Sequence, residues 1–295
     1  MNKLKRKKPT DIVLDLVIYI ILIALVVVTL YPVWHVIVAS FSTSTALAKV
    51  DGLLLWPEDI TVEAYKLVAN NRLIMSGLKN SFLILLASLP LNLVMTMLCA
   101  YFLACTGMFW KRPISLYILF TMYFSGGLIP SFLNIRDLGL FDSIWALILP
   151  GALQVYYAIV CKTAIEAIPD SLREAAYLDG ANDFQIIFKV IMPLIKPTLA
   201  VLTLYYGVSH WNSWYTASIY ILDEYKLPVQ NIIRSILIDN NTTLTGTGAM
   251  GDSYSTYSET IKYAAIVVTS APIMCVYPFL QKYFAKGAMI GAVKG

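Results

Sequence analysis

The sequence predicts an all-α integral membrane protein of six transmembrane helices, and three observations carry that prediction. Of its 295 residues, 58% are hydrophobic and only 14% charged, with a mean hydropathy of +0.69, a balance outside the range of water-soluble domains. Apolar runs of spanning length recur at about 12–39, 77–105, 113–133, 143–162, 198–217 and 261–283. Lysine and arginine gather on one side of these runs: five in the amino tail, two at 111–112, four in the loop 163–196 with its edges and three in the carboxyl tail, fourteen of 22. Under the positive-inside rule that side is the cytoplasm, and both chain ends lie there.

Taken in order, the first run follows Lys3, Lys5, Arg6, Lys7 and Lys8. A secretory leader also opens on positive charge, but its apolar stretch is shorter and its cleavage site comes sooner, so an uncleaved first helix is expected. The segment 41–76 carries acids, the Trp56-Pro57 pair and Tyr65, and is expected outside, at the interface. The second run holds Pro90 and Asn92 near mid-depth; a proline there frees a carbonyl that a neighbour or a water-lined path must satisfy. Ser125-Gly126-Gly127 and Pro130 in the third run and Pro150-Gly151 in the fourth predict kinks. The fifth is aromatic in its outer half, with Tyr205, Tyr206, His210, Trp211, Trp214 and Tyr215. An outer segment 219–258 follows, then the sixth run with Pro272 and Pro278 and a basic tail 284–295, the whole forming one transmembrane domain.

Several chemistries are not indicated. Cys99, Cys105, Cys161 and Cys275 lie in or beside apolar runs as packing residues, and His35 and His210 stand far apart, so no metal site is expected. The net charge of +4 is an orientation signal with no hint of nucleic acid. There is no phosphate-binding Gly-rich loop with Gly-Lys-Ser/Thr, no nucleophile with a base and no acidic cluster at mid-membrane. The chain is not expected to be an enzyme, and any uphill work needs energy from a partner.

One charged island breaks the second half of the chain, from Pro169 to Pro193. Pro169 suits the first turn of a helix, Asp170 and Glu174 place negative charge near its positive end, and Gly180 stands where a helix stops. A second helix follows: Asn182 or Asp183 can cap it, Phe184, Ile187, Phe188 and Ile191 share one face, and Pro193 ends the pattern. Ala175 and Ala176 allow another protein close approach, and the apolar ridge suits a groove. The same ridge can equally rest on the chain's own membrane helices.

The order Glu174-Ala175-Ala176, Gly180, then Val190-Ile191-Met192-Pro193 resembles the EAA loop of permease subunits of bacterial ABC importers. Val190 and Met192 stand where the common pattern has Ile and Leu, changes that conserve volume. The likeness covers nearly the whole chain: Gly139-Leu140, Ile148-Leu149-Pro150-Gly151, Ile168-Pro169, His210-Trp211-Asn212 and the closing Gly-Ala-Val-Lys-Gly are similar to carbohydrate permeases of the maltose-transporter type. Leu227-Pro228-Val229-Gln230 and Arg234-Ser235-Ile236-Leu237 resemble the subgroup that handles oligosaccharides from polysaccharide breakdown, polygalacturonate-like and other uronate-containing ones included.

The resemblance implies the type I ABC importer permease fold in a bacterial cell membrane. It implies a heterodimer with a second permease subunit, two ATP-binding subunits that hold ATP and magnesium, and an extracytoplasmic sugar-binding protein delivering an oligosaccharide. No cofactor is expected in this chain. Arg173, Glu174, Ala175, Ala176, Asp179, Gly180, Phe184 and Pro193 would meet the ATPase subunit. The tail 284–295 would reach along that interface, unless it is a basic end held near anionic lipid. Candidate pathway residues are Asn92, Tyr123, Tyr205, Tyr206, His210, Trp211 and Asn212, since sugars need flat apolar faces and hydrogen-bonding groups around them. An aromatic belt is the competing reading, favoured for Trp214 and Tyr215; the amide of Asn212 is costly against lipid. The outer residues 240–257 suit contact with a docked binding protein or a flexible linker. An ion-coupled secondary transporter is the rival from another class, but it calls for buried acids or bases that the spans hardly contain. An ABC permease for a non-sugar solute is the rival within the family.

Overall fold

The computed structural model describes residues 9–50, 52–105, 109–238, 259–276 and 278. Among them there are only helices, turns and irregular connections. The outer residues 240–257 and the tail 284–295 lie outside the described residues, as does the end of the sixth run beyond 278. By contacts the chain divides into two units, residues 1–71 with 242–268 and residues 72–241 with 269–295.

In the first unit, α1 (Pro9–Ser40) is apolar around its whole circumference and largely exposed over residues 12–34, as a lipid-facing helix is, while Val38, Ala39 and Ser40 at its end are buried. The irregular segment after it is tied back by polar tips of aromatic rings. Trp34 Nε1 donates to the Leu55 carbonyl at 3.0 Å and the Leu54 N–H donates to the Tyr31 hydroxyl at 3.1 Å. Phe41 packs on Tyr65 with the rings tilted by 34° and centroids 4.9 Å apart, the Ser40 and Tyr65 hydroxyls are 2.6 Å apart, and α2 (Glu63–Asn70) buries Ala64, Leu67 and Val68.

The second unit is organised on α3 (Arg72–Ala104), a continuous helix that runs through Pro90. Its inner face carries Ser81, Ile84, Ser88, Asn92, Thr96 and Ala100, all buried and mostly four residues apart. A helix advances 400° in four residues, so these positions wind slowly around one side and give α3 a polar seam inside an apolar cylinder. The following elements are α4 (Lys111–Tyr123), α5 (Leu128–Asp137), α6 (Val155–Glu166), α7 (Asp170–Leu178), α8 (Asp183–Leu194), α9 (Lys196–Trp211), α10 (Tyr215–Tyr220) and α11 (Val229–Ile238); α12 (Glu259–Val276) has residues 259–268 in the first unit and 269–276 in the second. α6, α9 and α11 pack directly on α3.

The third and fourth runs, expected as kinked spans, are broken more sharply than a kink. α4 and α5 meet at 113° across Phe124–Gly127, because Gly127 takes a φ of +90° that a side chain rarely adopts. The fourth run yields a single turn, Trp145–Ile148, then irregular backbone through Pro150-Gly151 to α6. α9 ends at Trp211, six residues before the expected end of the fifth run, and α10 starts a separate helix. Three helices are long and apolar enough to cross a bilayer among the described residues, or up to five if each bent pair is one span.

Two devices fix the end of the unit near residues 72–81 and 220–238. Gly77 of α3 faces α11, where an added Cβ would stand 3.0 Å from the Val229 Cα; Ser81 Oγ accepts the Val229 N–H at 3.0 Å and Asn80 Nδ2 donates to the Tyr225 and Leu227 carbonyls at 2.6 and 3.1 Å. Asp142, at a φ of +56°, ties the loop before the fourth run to the segment after α10. Its Oδ2 lies 2.7 Å from Lys226 Nζ, and its Oδ1 accepts the N–H groups of Leu222 and Asp223 at 3.0 and 3.1 Å. Lys226 first, then those N–H groups, hold the carboxyl at about 2, below its ordinary 3.8.

Two outcomes follow. Gly77→Val should lower the thermal midpoint by the equivalent of about 1–3 kcal/mol, the usual cost of overpacking, with Gly77→Ala lowering it less. Because the Asp142 carboxyl is depressed, the strap's contribution is complete above about pH 4 and fades toward pH 2. The midpoint difference between wild type and Asp142→Asn in detergent should therefore be constant near neutrality and close as the pH falls through that window.

Candidate functional site

The charged island folds as expected in outline. Pro169 precedes α7 and Asp170 opens it. The helix stops in a Schellman turn: the Ala181 N–H donates to the Ala176 carbonyl and the Gly180 N–H to the Tyr177 carbonyl, both at 3.0 Å, with Gly180 at a φ of +81°. Asn182 then caps α8, in a capping box with Gln185 whose two bonds measure 2.9 and 3.0 Å. α8 widens into a π turn over Ile186–Ile191, immediately before Pro193, whose ring cannot donate to and would crowd a carbonyl one α turn back. The helix continues to Leu194 and bends by 89° into α9, so Pro193 lies inside the pattern it was expected to end.

The apolar ridge rests only in part on the chain's own helices. Ile186, Ile187 and Ile191 are buried against α3 and α6 residues such as Met97, Ala100 and Ile165, whereas Phe184 and Phe188 are exposed. Glu174, Ala175, Asp179 and Pro193 are exposed, Ala176 packs on the core, and Arg173 turns inward to pair with Asp170. Leu178, which the pattern did not single out, is 89% exposed, and with Phe184 at 65% it makes an apolar tip on either side of the Gly180 turn. Water gives such a tip no stabilisation; a groove would.

A hydroxyl–carboxylate knot anchors this loop to α3. Asp183 Oδ1 accepts from the Tyr101 hydroxyl at 2.7 Å and from the Tyr177 hydroxyl, so the end of α3, α7 and the start of α8 share one acceptor. Those two donors, Tyr177 foremost, hold the Asp183 carboxyl below its ordinary range. Neither tyrosine nor Asp183 as an acceptor was foreseen; a phenol at the inner end of a span and a carboxylate just past a helix turn gave no local signal.

Deeper in the unit a cavity of about 630 Å³ opens where the fourth run is broken. Ser131, Asn134, Gln154, Ser209, His210 and Ser213 bring polar groups to its wall, and no Asp, Glu, Lys or Arg lines it among the described residues. The broken backbone is held from behind. Asn92 Nδ2 donates to the Gly151 and Ala152 carbonyls at 2.7 and 3.0 Å, and the Gln154 N–H donates to the Tyr206 hydroxyl at 3.1 Å, itself 2.8 Å from Thr96 Oγ1. His210 Nε2 lies 3.0 Å from Asn92 Oδ1; a carbonyl oxygen only accepts, so Nε2 carries the proton.

Asn92, Tyr206 and His210 are thus brought together at the break. The structure sets the other candidate pathway residues elsewhere. Trp211 is buried against Val229 and Ile233, meets Phe82 edge-on at 5.4 Å and donates to the Thr269 carbonyl at 3.2 Å, because its large ring fills the space between α9 and α11. Tyr123 is exposed at the end of α4, Tyr205 stacks on Tyr157 at 5.8 Å, and Asn212 is exposed just past α9. Gln154 and Thr96 belong to the site and were missed; Thr96 was legible as the next position of the Asn92 seam.

A cavity walled in part by polar groups at a broken span suits a transport permease. The chain belongs to the family of binding-protein-dependent transport system inner membrane components, which it matches over residues 78–289. It is 38% identical over 281 residues to the polygalacturonan/rhamnogalacturonan transport system permease protein YtcP of Bacillus subtilis, covering 95% of this chain and 98% of that one. It is 35% identical over 268 residues to the protein LplC of Bacillus subtilis, covering 91% and 90%. Among solved structures it is similar to a bacterial ABC transporter involved in the import of the acidic polysaccharide alginate, with a TM-score of 0.88 and 32% identity over 95% of this chain and 99% of that one. The fold is that of a type I ABC importer permease.

Two substitutions test the geometry. Asn92→Leu leaves the Gly151 and Ala152 carbonyls without their donor, at about 1–3 kcal/mol for each buried group, and should lower the thermal midpoint far more than Asn212→Leu. Tyr101→Phe removes one bond to the Asp183 carboxylate, worth about 1.5–3 kcal/mol, and should speed amide hydrogen exchange over 170–185 while leaving exchange in α9 unchanged.

Proposed function

We propose that this chain is one of two different permease subunits in an ATP-driven importer of oligosaccharides, with uronate-containing ones as the favoured class. The observation that carries the reading is the similarity to the polygalacturonan/rhamnogalacturonan permease over 95% of the chain, joined to a loop whose apolar tip is left exposed by the described residues. Two ATP-binding subunits supply the energy, each receiving the helix–Gly180–helix loop of one permease in a groove. Leu178 and Phe184 are the buried anchors of that contact, Glu174 and Asp179 its charged rim, and Ala175 the point of closest approach. ATP and magnesium reside on those subunits, and a binding protein delivers the saccharide from outside.

Six crossings with both ends in the cytoplasm accommodate this arrangement, with the two broken runs each counted as one crossing. Hydroxyls, amides and the Tyr206 and Tyr220 rings of the cavity wall match a polyhydroxylated ring, which offers donors and acceptors around a weakly apolar face. ATP binding closes the ATPase pair and moves the loops, and α3 and α9 carry that displacement to the cavity.

The test is isolation of the protein from its own membrane beside a Glu174→Lys, Gly180→Val double variant. An ATPase and a second permease should accompany wild type, and the ATPase should be lost from the variant. Wild type emerging with neither would sink the importer reading. In vesicles containing the whole assembly, binding-protein-dependent uptake of oligogalacturonides should exceed that of neutral maltooligosaccharides at least tenfold; equal uptake would remove the uronate preference alone.

A further inference from the structure

A second cavity, of about 720 Å³, lies among the end of α3, the start of α4 and the last turns of α6. Its wall is of two kinds, separated by depth along the helices. Lys111 and Arg112 stand in the first turn of α4 and Lys162 near the end of α6, with the Trp110 indole beside them. Leu116, Leu119 and Ile159 line it about one to two turns further in, with Leu103 from α3.

The charges are unbalanced. Lys162 is neutralised by Glu166 at 2.9 Å, and Lys111 donates to the Cys105 carbonyl. Arg112 is exposed and has no ion pair among the described residues. With Glu166 engaged, Lys111 and Arg112 leave the cavity mouth two positive charges in excess. Ser115, one turn along α4 from Lys111, also lines the cavity, and its hydroxyl oxygen is buried without a hydrogen-bond partner among the described residues. A hydroxyl out of water with nothing to bond is costly, and a ligand oxygen would remove that cost.

We propose that this cavity binds one anionic phospholipid. The phosphate is held by Lys111, Arg112 and the Ser115 hydroxyl, and the acyl chains lie along Leu116, Leu119, Ile159 and Leu103. The apolar depth decides against a soluble phosphate, which would leave that wall uncovered. The charge excess decides against a zwitterionic lipid, whose ammonium would meet two cations and a carboxylate already paired. α4 is the first half of a bent pair long and apolar enough to span, so its first turn falls where headgroups lie.

The test begins with the protein purified from its own membrane and native mass spectrometry in the presence of phosphatidylglycerol, phosphatidylcholine or inorganic phosphate. One phosphatidylglycerol should be retained at least tenfold better than phosphatidylcholine, millimolar phosphate should fail to displace it, and Lys111→Gln with Arg112→Gln should abolish the preference while Arg136→Gln keeps it. Equal retention of both lipids, displacement by phosphate or an unaffected double variant would overturn the proposal. Independently of any variant, phosphatidylglycerol carrying a photoreactive acyl chain should label wild type within 103–119 and 159–166. Labelling spread over all spans would mean bulk lipid, and protection of the cavity by a co-purifying subunit would mean that a protein covers it; either result overturns the assignment. Ser115→Ala, which removes only the unbonded hydroxyl, should reduce retention about three- to tenfold with an unchanged thermal midpoint.

Discussion

A helix broken inside a bilayer must find all its hydrogen bonds within the protein, because hydrocarbon supplies none. That constraint explains why α3 carries a buried polar seam that no soluble helix of its hydropathy would need. At several points where a neighbouring segment leaves helical geometry, a side chain of the seam or its partner takes up the released group. Asn92 takes the Gly151 and Ala152 carbonyls, Tyr206 with Thr96 takes the Gln154 N–H, and Ser81 and Asn80 secure the start of α11. The cavity is what remains when backbone that would have filled the space as helix is held aside by these bonds.

The same helix joins places of different character. At 33 residues α3 is about 50 Å long. Asn80 engages the segment before α11, Asn92 stands behind the cavity, and Tyr101 reaches the loop through Asp183. Displacement of the loop is therefore felt at a hydrogen bond on α3 itself, without an intervening flexible segment. The π turn of α8 adds a second mechanical feature, since a widened turn next to a proline and an 89° bend concentrates compliance at the junction with α9. One connection to the loop is short and polar and the other is hinged, an asymmetry suited to converting a push on the loop into rotation.

Much of this was legible in the sequence, and what was not has identifiable causes. The all-α membrane class followed from hydropathy, and the helix–Gly180–helix loop followed from local turn and cap chemistry, because both signals are carried by adjacent residues. Glycine and proline at 126–127 and 150–151 marked the breaks, but not their size; a dihedral at Gly127 sets a bend of 113° that no periodicity encodes. The burial of Trp211 was not legible because an aromatic ring near a helix end fits a pathway, a belt and a core equally well, and its contact with Val229 and Ile233 arises only from the packing of α11. The Tyr101–Asp183 knot joins residues 82 positions apart and had no pattern to reveal it. Thr96 was different: it continues the Ser88–Asn92 spacing and could have been named.

In the proposed role of a saccharide passage, the cavity must also release what it holds. In a low-dielectric span a fixed charge facing an opposite charge on a solute would bind it strongly, and a transport site must also let go. The described wall of this cavity instead offers hydroxyls, amides and one imidazole already engaged with Asn92, each bond exchangeable for a similar one to water. Recognition built from many modest bonds is lost in steps as the wall separates. Discrimination by charge is then better placed on a component that meets the solute in water, where a strong ion pair does not have to be broken in the middle of a membrane.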